Sequence, residues 1–247
     1  MQKDNQIFGI RAVIEAVHAG RSIDKVFLQR GLKGPLFSEL ETLLRREQIN
    51  MSFVPLEKLN RFGNKNHQGV VAHISPVGFH DLENLVMQTI ESGDTPFFLL
   101  LDQVSDVRNF GAIIRTAECT GVHGIIVPNK GGAPVTADTV KTSAGAVFNV
   151  PLCKVPHIKD AVFYLQASGI QVVAATEKTD ASVYDLPLSQ PTAIVMGAED
   201  KGISPSILKA ADHKAKLPMS GNIGSLNVSV ACGVFLYETV RQRQNKS

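Results

Sequence analysis

Tryptophan is absent from the 247 residues, and cysteine occurs three times only, at positions 119, 153 and 232. An odd number of widely spaced cysteines in apolar stretches excludes a disulfide framework and reads as buried thiols. No apolar run approaches the roughly 20 residues that cross a bilayer. The opening stretch MQKDNQIFGIRAV has no apolar core of signal-peptide length, so the expectation is a cytoplasmic protein with no membrane partner. Seven histidines are scattered without metal-ligand spacing, and no metal site is expected. Neither GxGxxG nor GxxxxGK[ST] occurs, which argues against dinucleotide and nucleoside-triphosphate enzymes of the usual kinds. Internal repeats and low-complexity tracts are missing too, and the 44% hydrophobic content is that of an ordinary globular chain.

Length slightly favours two domains, and the charge is divided unevenly between them. Residues 1 to 76 hold 11 Lys/Arg against 7 Asp/Glu, whereas residues 77 to 247 hold 14 against 16. A net +4 on a small domain suits a nucleic-acid-binding module, although solvated surface charge produces the same number. Within 1–76, helical spacing at residues 8–18 leads to a strand at 25–29, then an amphipathic helix beginning at Pro35. A strand near 51–54, a short helix and a strand at 69–75 complete a small α/β unit. Arg11, Arg30, Lys33, Arg45, Arg46, Arg61 and Lys65 decorate it, with His67 and Gln68 at the mouth of the last strand. Of these, Arg11, Arg45, Arg46, His67 and Gln68 are the candidate nucleic-acid contacts, able to hold phosphates. Residues 77–96 read as a linker carrying a bridging helix.

From 97 to 247 short apolar runs alternate with helical segments: FFLLLD, GIIVP, VPLCKV, QVVAAT and TAIVMG are the strands. Continuous apolar strands with polar residues at their carboxyl ends mark a parallel sheet covered on both faces. Ligands of such sheets sit beyond the carboxyl ends, so Asp102, Thr176, Gly197 and Met219 should border one crevice.

Three loops there carry chemistry. In DQVSDVRNFGAIIRTAECTG, Asn109 opens a helix from which Arg115 projects. The arginine either recognises phosphate or ribose through its planar fork or forms an ion pair with Asp102, Asp106 or Glu118. In MGAEDKGIS, Gly197 permits close approach to a flat ligand and Glu199 opens toward it, though turns of this composition are common. In LPMSGNIGSLNVSVACGVFLYE, Gly221 and Gly224 let the backbone turn sharply, and Ser225 and Asn227 stand beside helix-start N–H groups. The helix that follows should be buried on nearly every side. A Ser/Asn-capped core helix is the plainer account of the same residues.

Taken together, NFGAIIRTA, IVMGAEDKGIS and LPMSGNIGSLNVSVACGVFLYE resemble the three motifs of the SpoU family of RNA ribose methyltransferases in the SPOUT superfamily. The resemblance runs from about 98 to the C-terminus, and residues 6–76 resemble the ribosomal-protein-like substrate-binding domain of many members. It implies an S-adenosylmethionine-dependent enzyme, most similar to those that methylate a guanosine 2′-oxygen in 23S rRNA. tRNA-modifying relatives generally lack the N-terminal domain; tRNA as substrate, or a catalytically silent RNA-binding protein, are the alternatives. Asn109, Arg115, Glu199, Ser225 and Asn227 then match the catalytic set, and Gly197, Leu217 and Leu226 match cofactor-holding positions, with Thr176 and Met219 as wall residues. A parallel-sheet SPOUT domain with a deep trefoil knot, and a homodimer with its sites near the interface, are also implied. Val107-Arg108 departs from the family, where a proline often precedes the asparagine. Arg115 is sometimes cast as a base in such enzymes. A guanidinium with a pKa above about 12 hardly deprotonates, so binding the neighbouring phosphate and easing an emerging alkoxide is the sounder role.

Overall fold

The computed structural model describes residues 6–63, 66–222 and 224–245. Lys65 lies outside them. The chain forms two compact units: one runs as far as Gly78 and takes in Val135–Ala137, the other comprises Phe79–Pro134 and the chain from Asp138 onward.

The first unit is a four-stranded sheet in the order β1 (Gln6–Phe8), β4 (Val70–Ile74), β2 (Ile23–Gln29), β3 (Met51–Val54). β1 and β2 run antiparallel to β4, and β3 is parallel to β2. The sequence reading missed β1, whose three residues are too few for an alternation to register. α1 (Ile10–His18) and α2 (Pro35–Arg46) lay Val13, Ile14, Leu40 and Leu44 on one face of the sheet, against Val26, Leu28, Val70 and Ala72. On the other face α3 (Leu56–Asn60) brings Leu59 to Phe27 and Val71. There the Phe27, Phe62 and His73 rings pack with centroids 4.8 to 5.0 Å apart.

The second unit is a six-stranded, wholly parallel sheet, as expected. Its order is β10 (His213–Ala215), β8 (Gln171–Ala175), β9 (Thr192–Gly197), β5 (Phe97–Asp102), β6 (Gly124–Pro128), β7 (Leu152–Val155). All six residues of β5 are buried. Phe98 and Leu100 join a core with Ile126, Val162, Leu165 and Val195, so by strand alternation Phe97, Leu99 and Leu101 point to the opposite face. α7 (Ile158–Ala167) and α8 (Pro205–Ala210) cover the first of these faces. Residues 77–96 contain α4 (Leu82–Glu91), whose Val86 is buried in this same core. α5 (Val107–Cys119) packs against α9 (Val228–Gln244), and α9 also meets β9. α6 (Ala137–Thr142) lies so close to α5 that a Cβ on Gly111 would fall 2.0 Å from Thr142 Oγ1.

Side-chain caps set the helix starts that matter here. Asp106 accepts from Arg108 N and Asn109 N at α5, and Asn227 accepts from Ser229 N at α9, each worth about 1 kcal/mol. Two expectations are corrected. α9 is not buried all round: Cys232, Phe235 and Leu236 face inward, but Val230 and Tyr237 are more than half exposed. Cys119 is exposed as well, because it falls on the outer side of α5 near its end. Cys153 and Cys232 are buried thiols, and burial pushes both up to about 12.

Burial lowers the pKa of His73 and of His123 below the ordinary 6.5. In the neutral form, His123 Nδ1 accepts from Phe97 N at 3.1 Å, at the start of the central strand. A depressed folded pKa means stability that is full above about pH 6.5 and lost as pH falls through the lower folded value. Melting temperature should therefore fall on acidification from pH 7 to 5. His123→Asn, which keeps an acceptor and cannot titrate, should flatten that decline; an unaltered pH dependence would remove His123 from the account.

Candidate active site

At the carboxyl ends of β9, β8 and β10 the main chain encloses a cavity of about 730 Å³. The second and third sequence motifs wall it. β9 ends at Gly197 and the chain turns back at once: Ala198 and Gly202 exchange backbone hydrogen bonds of 3.1 and 2.8 Å, closing a small hairpin with Glu199 at its tip. Gly202 has φ +67°, in the left-handed region that glycine adopts without strain. Asp102, 4% exposed, accepts from Ser204 N at 2.6 Å, while Gln103 Nε2 donates to Ser204 Oγ at 3.1 Å. The end of β5 thus fastens the far side of the hairpin, and a buried carboxylate gains the partner it needs.

Three distant motif residues converge on one hydrogen-bond network. Asn109 Nδ2 donates to Glu199 Oε2 at 3.1 Å, and Asn227 Nδ2 donates to Asn109 Oδ1 at 2.9 Å and to Glu199 Oε1 at 3.3 Å. Asn227 Oδ1 is occupied with Ser229 N. The capping reading and the site reading of Asn227 therefore hold together: one amide oxygen starts α9 while its nitrogen faces the site.

Thr176, Gly197, Leu217, Met219 and Leu226, the expected cofactor residues, all line the 730 Å³ cavity, as do Glu199 and Ser225. Thr176 Oγ1 also accepts from Lys178 N, turning the chain after β8. Asp102, expected at the crevice, is instead the buried anchor beneath it. Arg115 stands apart. It is exposed on α5, lines neither this cavity nor the smaller one beside Asn109, and makes no hydrogen bond or ion pair with any described residue. The ion pairs considered above do not form: Asp102 and Asp106 bind backbone N–H groups, and Glu118 accepts from Asn149.

The glycines act differently from expectation. A Cβ on Gly197 would lie 2.2 Å from the Gly202 carbonyl carbon and 2.3 Å from Ile203 N, so the vacant space is filled by the returning hairpin and not reserved for a ligand. Gly221 and Gly224 need no left-handed turn, and their Cβ positions are open within 4 Å. Of these two, Gly224 lines the cavity.

In the first unit, His67 is 9% exposed. Its Nδ1 accepts from Gly69 N at 2.9 Å, which leaves Nε2 to donate to Asn60 Oδ1 at 3.0 Å. His67 is thereby corrected from a candidate RNA contact to a brace of the turn before β4, its ring nitrogens both spent within the domain. Gln68 beside it is exposed, as is Arg11. Arg45 and Arg46 project from α2 with side chains 64% and 69% exposed, paired to Glu41 and Glu47; exposed pairs of this kind are weak enough to be exchanged for phosphate.

The cavity suits a mid-sized ligand that carries an apolar part and charge of both signs. Met196, Leu217, Met219, Leu226 and Phe235 supply apolar wall, and Glu177, Glu199 and Asp200 stand there with Lys178, Lys201 and Lys216. Among the described residues no group of His, Cys, Asp and Glu could hold a metal ion, and no helix is long and apolar enough to cross a membrane.

Comparison with known proteins agrees with this geometry. Residues 96–237 match the model of the SpoU rRNA Methylase family, and residues 6–79 match that of the RNA 2′-O ribose methyltransferase substrate binding domain. YacO of Bacillus subtilis (strain 168), named as a TrmH family tRNA/rRNA methyltransferase, is 32% identical over 98% of this chain and 97% of its own. The SpoU methyltransferase AviRb of Streptomyces viridochromogenes, solved with AdoMet, is 28% identical with a TM-score of 0.61, covering 97% of this chain and 90% of that one. An AdoMet-bound rRNA methyltransferase of Sinorhizobium meliloti is 25% identical with a TM-score of 0.62, covering 97% and 87%.

Two glycine variants separate packing from ligand approach. Gly197→Val should destabilise the protein by roughly 1–3 kcal/mol and weaken S-adenosylmethionine binding at the same time. Gly224→Val should leave the melting temperature alone and lower affinity only. Thermal denaturation with calorimetric titration checks both, and a stable, tight-binding Gly197→Val protein would contradict the hairpin argument.

Proposed function

The chain belongs to the SpoU rRNA Methylase family and is an S-adenosylmethionine-dependent RNA methyltransferase; we propose that it methylates a ribose 2′-hydroxyl, at a guanosine of 23S rRNA. The observation that carries this reading is the Asn109–Glu199–Asn227 network, whose Glu199 lines the large cavity and whose Asn109 lines the smaller one beside it. The cofactor supplies a methyl group already activated on a sulfonium, so the protein has only to orient the 2′-oxygen and manage its proton. Glu199 uses both oxygens to hold the two amides, which fixes where those amides can meet a ribose. Ser225, on the cavity wall with no hydrogen bond to another described residue, is free to reach the hydroxyl. Leu217, Leu226, Met219 and Thr176 hold the cofactor in this reading. The family name, and a match of 97% of the chain to an rRNA methyltransferase, favour rRNA over tRNA.

Arg115 has no partner among the described residues, which suits a phosphate anchor. The exposure of Val230 and Tyr237 on α9 supports a homodimer in which this helix meets a second copy. The strand order supports the knotted path: after β9 the chain goes out to the edge strand β10, then returns to set α9 against α5 and β9. The first unit supplies RNA affinity through Arg11, Arg45, Arg46 and Gln68.

Tritiated methyl transfer to total rRNA and total tRNA, with mapping of the labelled nucleotide, tests the assignment; label confined to tRNA would overturn the rRNA reading. Arg115→Ala should lower single-turnover rates at saturating RNA, and Arg115→Lys should retain more than Ala, with cofactor affinity unchanged in both. Rates equal to wild type would remove Arg115 from catalysis. Replacing Arg45 and Arg46 by Ala should flatten the dependence of log K on log salt by about 0.7–0.9 for each phosphate no longer neutralised; an unchanged slope would mean that α2 does not touch RNA.

A further inference from the structure

Beyond the hairpin tip lies a second cavity, of about 300 Å³, bounded by Gln103, Val104, Ser105, Asp106 and Asn109. It shares Ala198, Glu199, Asp200 and Val228 with the large cavity, so the two adjoin across a common wall. A group seated here stands beside both the cofactor cavity and the amides of Asn109 and Asn227. No lysine or arginine among the described residues lines it, whereas three carboxylates do. Such a lining repels phosphate and welcomes a neutral group rich in hydrogen-bond donors. Most of the polar groups are already engaged: Asp106 Oδ1 caps α5, Gln103 reaches Ser204, and Asn109 and Glu199 belong to the network. Ser105 and Asp200 alone among the polar residues of this wall have no hydrogen bond to a described residue.

We propose that the smaller cavity seats the base of the target nucleotide and that Asp200, assisted by Ser105, selects guanine. The inference rests on the 2′-O-methylation reading above. Chemistry on a single nucleotide of structured RNA takes that nucleotide out of its stack into a pocket that reads its Watson–Crick edge. Guanine alone among the four bases places two donors side by side on that edge, N1–H and the 2-amino group. A carboxylate accepts from both at once, whereas uracil offers one donor between two acceptors, and adenine and cytosine one donor beside an acceptor. Ser105, able to donate, can meet the guanine O6.

The test uses unmodified transcripts of 23S rRNA and tRNA with tritiated S-adenosylmethionine, followed by digestion to nucleosides. All label should appear in 2′-O-methylguanosine. Asp200→Ala, a change at an exposed residue with no hydrogen bond to a described residue, should lower kcat/KM for RNA at saturating S-adenosylmethionine roughly 10- to 100-fold, and Ser105→Ala should lower it less. Inosine at the mapped position removes the 2-amino group. It should slow the wild type by a similar factor and add little to the loss in Asp200→Ala, since both changes remove the same contact. Label in any other 2′-O-methylnucleoside, a wild-type rate for Asp200→Ala, or fully multiplicative losses would each overturn the proposal while leaving the 2′-O-methylation reading intact. Absence of a 2′-O-methylnucleoside in every RNA would sink that reading, and this one with it.

Discussion

One amide nitrogen, Nδ2 of Asn227, meets Asn109 and Glu199 together, and the rest of the site depends on the backbone that makes this possible. The three residues come from chain positions 109, 199 and 227 and meet only where a parallel sheet sends successive strand ends to one side. Each is held from behind. Asp106 starts the helix that carries Asn109, Asn227 starts its own helix, and the Glu199 hairpin is clipped to the end of β5 by Asp102 and Gln103. Short charged and amide side chains on capped helix ends and a closed hairpin lose little further freedom on meeting a substrate, which is how a site is organised before its ligand arrives.

The same economy explains the glycines. Gly197 and Gly111 are required because another part of the chain occupies the place of a side chain, whereas Gly224 borders open cavity. Packing and ligand approach are different reasons for the same residue type. They fall on different motifs here: the hairpin is built by exclusion, and the loop before α9 is left with room.

Charge is arranged by a similar division. Glu177, Glu199 and Asp200 share the large cavity with Lys178, Lys201 and Lys216, the smaller cavity has three carboxylates and no lysine or arginine among the described residues, and the exposed Arg115 on α5 lines neither. A polyanion is repelled by the carboxylates of the smaller cavity, so a neutral part of it is the part presented there. Arg243 shows the opposite treatment of a cation. Its guanidinium donates to the carbonyls of Thr95, Pro96 and Gln190 and lies over the Phe97 ring, and burial lowers its pKa to about 10. It pins the end of the helix whose start carries Asn227.

From sequence alone the class of the second unit was legible, because continuous apolar strands such as FFLLLD state burial on both faces whatever their neighbours are. The motif residues were legible as well, through residue type and order, and Asn109, Glu199 and Asn227 proved to touch. What depended on three-dimensional contacts was hidden. His67 looked like an available ring until Gly69 and Asn60 took both its nitrogens, and Gly197 lines the cavity, yet the side chain it lacks makes room for Gly202 and not for a ligand. Asp102 belonged to the crevice by strand position but lies beneath it. Helical spacing records that α9 is apolar on several sides, not which of them the protein covers; Val230 and Tyr237 were left out by the placement of α5. Local pattern reports the chemistry that a residue offers, and only tertiary packing decides whether that offer is spent inside the molecule or kept for a ligand, because hydrogen bonds and van der Waals contact act over a few ångströms between parts of the chain that sequence holds far apart.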